Sequence, residues 1–92
     1  MTREEAVPVA YNWHGGQNSL LYAFASCEGV VKSEKHRWKC IADIEGCLTW
    51  WDENAETIKS GVWPEHEEGD WAKLTALREY IEAAPIEEVT HV

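Results

Sequence analysis

Few residue groups in this chain have types and spacings that could do chemistry. His36 and Cys40 stand four apart, so a helix would set them on adjacent turns of one face, a spacing that suits two ligands of a zinc ion. Cys47 lies two turns further on, and a third ligand from Cys27, His14 or His66 would have to come from another segment. Core thiols beside a surface histidine account for the same residues without a metal, and no metal site is assigned. Residues 65–70 (EHEEGD) carry four acids but lack the DxDxDG pattern of a calcium loop. Three cysteines leave one unpaired under any disulfide scheme, and no CxxC pair is present, so reduced, buried thiols are expected. Cysteine and histidine are both available for nucleophilic catalysis, but nothing in their spacing brings them together. The sequence predicts no enzyme and no cofactor.

Two short matches add little to this. Gly15-Gly16-Gln17 is similar to the tripeptide with which peptide-chain release factors promote peptidyl-tRNA hydrolysis, but three residues on an acidic chain that repels tRNA make a glycine turn the better reading. His14-Gly15-Gly16 resembles the oxyanion loop of lipases, yet no GxSxG elbow accompanies it.

Charge is more informative. The 92 residues hold 8 Lys and Arg against 17 Asp and Glu, a net charge of -9. Direct binding to nucleic acid or to an anionic membrane needs the opposite sign and is excluded. The acids are also unevenly placed: residues 1–42 sum to +1 and residues 43–92 to -10. Asp52, Glu53 and Glu56 crowd the end of one predicted helix, and Glu65, Glu67, Glu68 and Asp70 crowd one predicted loop. Six Trp in 92 residues exceed what one small core can hide. Indoles lose few rotamers per unit of area and serve as interface anchors, and Trp50 and Trp63 sit beside the acids. These two tryptophans and seven acids are the predicted partner-binding residues.

The elements that must position them read as mainly α. One small domain of residues 1–92 is expected, with three helices between extended termini. Residues 6–13 (AVPVAYNW) read as extended because Pro8 opposes a helix. A short helix is expected over 19–27, closed by Gly29. The clearest helix begins at Ser33 as N-cap. Cys40, Ile41, Ile44, Cys47, Leu48 and Trp51 fall on one arc of it, and one long helix reaching Lys59 with a kink at Asp52-Glu53-Asn54 is favoured over a break there with Asn54 capping a short second helix. Trp38 and Trp50 lie off that arc. Residues 61–69 form a loop, Asp70 caps a helix over 71–84, and Pro85 stops it. The tail, residues 86–92, has weak strand character that would pair with Val7 to Tyr11, giving at most a short two-stranded addition. The first ten residues include Glu4 and Glu5 with no apolar run behind them, and no stretch reaches the ~20 apolar residues of a membrane span, so a cytoplasmic protein without a leader is expected.

Taken together, the acidic half from Asp43 onward, the run 15–26 (GGQNSLLYAFAS) and the acid- and Trp-rich stretch 41–56 (IADIEGCLTWWDENAE) resemble, in kind, the small acidic proteins that bacteriophages encode against host defences, the anti-CRISPR and anti-restriction proteins. That resemblance implies a stoichiometric inhibitor in the host cytoplasm. Such a protein occupies a basic nucleic-acid-binding surface of a host complex in the manner of a DNA mimic, or blocks a subunit contact. The alternative from the residues alone is a self-associating module whose off-arc tryptophans bury themselves in a homodimer.

Overall fold

A computed structural model describes residues 1–13, 24–25 and 28–87. Its helices with described bounds are α1 (Arg3–Trp13), α2 (Glu34–Glu53), α3 (Ala55–Lys59) and α4 (Asp70–Ala83). The molecule is mainly helical and elongated, 49 × 22 × 21 Å.

α1 corrects the extended reading of residues 6–13. It opens on a reciprocal pair of hydrogen bonds. The Glu5 N–H donates to Thr2 Oγ1 at 3.3 Å, and the Thr2 N–H donates to Glu5 Oε1 at 2.9 Å. This Thr-x-x-Glu box supplies partners for backbone donors that a helix start leaves open. The backbone and hydroxyl of Thr2 hold the Glu5 carboxyl below the usual carboxylate range. Pro8 removes one helical hydrogen bond, at a cost of about 3 kcal/mol. It is exposed, on the side opposite Ala6, Ala10 and Trp13, which recur at helical spacing and are buried. Burial of that face outweighs the proline.

α2 starts where Ser33 Oγ accepts the His36 N–H at 3.0 Å, as its sequence predicts. It stops at Asn54, which corrects the single long helix expected to Lys59; α3 is a separate piece that ends at Ser60 and Gly61, whose φ of +79° suits glycine. The Asn54 side chain does not cap α3. Its Nδ2 donates back to the Trp50 carbonyl at 2.9 Å and closes α2 instead.

α4 packs against both α2 and α1. Leu74, Leu77 and Ile81 of α4 meet Ile41 and Ile44 of α2, with Ala6 and Ala10 of α1 on the other flank. Of the predicted helix over 19–27, Phe24 and Ala25 are helical and buried, and the Gly29 N–H closes on the Phe24 carbonyl at 2.9 Å. The remainder of that helix, the 14–17 motifs and Cys27 lie outside the described residues. Val31 forms a parallel bridge with Ile86, and the Glu87 N–H donates to the Val31 carbonyl at 2.9 Å. The expected pairing of the tail with Val7 to Tyr11 does not form, because those residues are helical. Arg3 ties the same junction, its guanidinium 2.9 Å from the Glu87 carboxylate.

Candidate functional site

The loop of residues 61–69 leaves α3, crosses the end of α2 and enters α4, and aromatic rings fix its course. Trp63 stacks on Trp50 with ring centroids 5.4 Å apart. His66 stacks on Trp13 at 4.5 Å and meets Trp50 at 5.2 Å, while Trp13 and Trp50 touch edge to face at 5.8 Å. Rings at such separations attract beyond their simple burial. Polar contacts reinforce the seam. Asn12 Nδ2 donates to the Glu65 carbonyl at 3.4 Å, and the Cys47 thiol donates to the Trp13 carbonyl at 3.3 Å. A second pair, Trp51 and Trp71, joins the end of α2 to the start of α4 at 5.5 Å. Five tryptophans therefore gather at one end of the molecule, and Trp38 lies away from them on α2.

Around this aromatic end the predicted acids divide. Asp52 and Glu53 on the last turn of α2, Glu56 on α3, and Glu65, Glu67 and Glu68 on the loop are all exposed. Glu67 has a cation within reach, Lys73 Nζ at 3.7 Å. Asp70 is different. It is only 3% exposed, and its Oδ2 accepts the Glu67 N–H at 3.0 Å. Lys73 lies 3.9 Å from its Oδ1, and His66 Nδ1 lies 4.0 Å from its Oδ2. The Asp70 carboxylate thus shapes the loop from inside. Both predictions made of it, as a partner-facing acid and as the cap of α4, are corrected. Gly69 holds the cap position, and Asp70 is the first helical residue.

Trp50 and Trp63 are half-open rather than free: Trp50 is 38% exposed, and Trp63 is partly buried against the core. They offer a stacked pair of rings with carboxylates nearby. Trp13 and His66, which complete the cluster, were not among the predicted site residues. The signal for Trp13 was present in Thr2-x-x-Glu5 followed by Ala6, Ala10 and Trp13, a capped helix hidden behind Pro8. No sequence pattern marks His66, because only the loop's return onto α1 brings it to Trp13.

Among the described residues the remaining candidate chemistry is closed. Burial, with Asp43 adding to it, pushes the Cys40 thiol up to about 12 and the Cys47 thiol up to about 11, so neither supplies a thiolate near neutral pH. His36 Nδ1 accepts the Lys32 N–H at 3.1 Å, and desolvation, then the Lys32 charge, hold its imidazole below the ordinary histidine range. Among the described residues no three His, Cys, Asp or Glu side chains form a group that could hold a metal ion, and no helix is long and apolar enough to cross a membrane. What the aromatic end can do chemically is present ring faces and carboxylates to a cationic surface.

No protein-family model, curated protein or solved structure matches the chain.

Proposed function

We propose that this protein is a non-enzymatic docking protein whose acidic, tryptophan-rich end binds a basic nucleic-acid-binding surface on another protein complex and so blocks it. The supporting observation is the stacked Trp50–Trp63 pair held half-open beside six exposed carboxylates, Asp52, Glu53, Glu56, Glu65, Glu67 and Glu68. Lysine and arginine side chains suit such a surface twice over. Their charges pair with the carboxylates, and guanidinium or ammonium groups are attracted to indole faces. Opposite potentials also raise the rate of encounter. A phage-type inhibitor of host defence, acting in the host cytoplasm, is the role we assign to such a surface.

The experiment is to reverse Glu65, Glu67 and Glu68 together to lysine. Partners captured from host lysate on the unaltered protein are then measured for affinity at low and high salt. The expected loss is tenfold or more, with a weaker salt dependence. Folding stability should stay within about 0.5 kcal/mol, since the three side chains are exposed. Unchanged affinity with no salt dependence rules out the electrostatic mechanism.

A further inference from the structure

α2 has one face in the core and one in water, and the outer face carries charge in a definite order. Lys35, Lys39, Ala42, Gly46, Thr49 and Glu53 are all exposed and recur at three- and four-residue steps, so they line one stripe of the helix. Trp38, 53% exposed, and Trp50 flank it on opposite sides. The sign of charge changes along it, from lysines near the start to Glu53 at the end, over a helix about 30 Å long. Glu34 and Arg37, also near the start, pair with each other at 3.2 Å and add little to that gradient. Small side chains occupy the middle, and a Cβ added at Gly46 would meet no atom of the described residues within 4 Å.

We infer that this face binds the same face of a second copy of the chain, antiparallel, about a two-fold axis level with Ile44. The order of residues is symmetric about that point. Lys35 falls opposite Glu53 of the second copy, Ala42 opposite Gly46, and Lys39 level with Thr49. Ideal helix geometry then lays the stem of Lys39 in the second copy alongside the exposed part of Trp50, whose ring stacks on Trp63. Because a two-fold interface is self-complementary, every contact occurs twice. Parallel pairing would set lysine against lysine and glutamate against glutamate. A partner of one charge sign would match only half of the stripe. Charge complementarity in reversed order therefore selects a second copy as the occupant. This assembly goes beyond the docking role; it shares Trp50 and Glu53 with that surface but does not use Glu65, Glu67 or Glu68, which lie on the loop.

Sedimentation equilibrium of the full chain tests it. The expected result is a concentration-dependent dimer that weakens with salt. Lys35→Glu, on an exposed side chain, should weaken the dimer about tenfold, because two symmetry-related attractions become repulsions. Adding Glu53→Lys in the same chain should restore it. The triple lysine reversal on the loop should leave the dimer unchanged while weakening partner binding tenfold or more, which separates this inference from the docking role. A monomer at every concentration overturns the inference, as does a dimer indifferent to Lys35→Glu. A dimer that Glu53→Lys fails to rescue overturns the antiparallel register.

Discussion

The two ends of α2 use the same residue classes for opposite purposes. Near its start two ionisable side chains, His36 and Arg37, are taken inside, while Glu34, Lys35 and Lys39 stay in water. Arg37, 8% exposed, donates to the Ile81 carbonyl at 2.7 Å and the Glu82 carbonyl at 2.8 Å, and its remaining nitrogens pair with Glu34. One guanidinium thereby supplies donors to the last turn of α4, where carbonyls lack helical partners. His36 beside it is buried and held neutral. Near the other end every predicted acid but Asp70 stays in water, and the rings do the joining. Trp13, Trp50, Trp63 and His66 tie three segments together while Asp52, Glu53 and the loop acids face outward. A charge that is buried and fully bonded becomes architecture. Left exposed among like charges, it costs little stability and is available for a partner.

The largest test of this contrast is at the aromatic end. Trp13→Ala removes a buried ring that touches both Trp50 and His66, and should cost about 3–5 kcal/mol in urea denaturation. A cost under ~1 kcal/mol would mean that the loop is held by something other than its rings. Next comes Arg37→Met, which keeps the apolar stem but leaves two carbonyls without donors; about 3 kcal/mol is expected. Arg37→Lys should recover only part of this, since an ammonium cannot reproduce the planar fork. If Met is neutral, the start of α2 is not organised by its buried charge.

The smallest expected effect is a pH dependence at His36. Its folded-state imidazole titrates below the ordinary histidine value, so the unfolded chain binds the proton more readily. That contribution to stability is intact above the unfolded value, near 6.5, and is lost as pH falls from there through the lowered folded value. Denaturation midpoints should drop between neutral pH and mildly acidic pH, and His36→Asn should flatten the slope. A slope of the same size in His36→Asn would place the titration elsewhere.

Much of the frame was legible in local sequence. Ser33 as a cap, the core arc of α2 and the stop before Pro85 all rest on interactions within a few residues, which composition and spacing record directly, whereas the favoured single helix to Lys59 is divided at Asn54. Pro8 misled for a physical reason. A local penalty is visible in the sequence, whereas the burial of Ala6, Ala10 and Trp13 that overrides it belongs to the packed molecule. Six of the seven predicted acids are exposed, as a charged side chain without a buried partner must be.

Sequence by itself determined the helical class, the negative half of the chain and the surplus of tryptophan, because these follow from residue type and short-range periodicity. Only the tertiary structure decided that Asp70 turns inward, that Arg37 closes a helix more than forty residues away, and that His66 settles against Trp13. Those outcomes depend on which segments meet, and a carboxylate or an indole carries no mark of which neighbour will desolvate it.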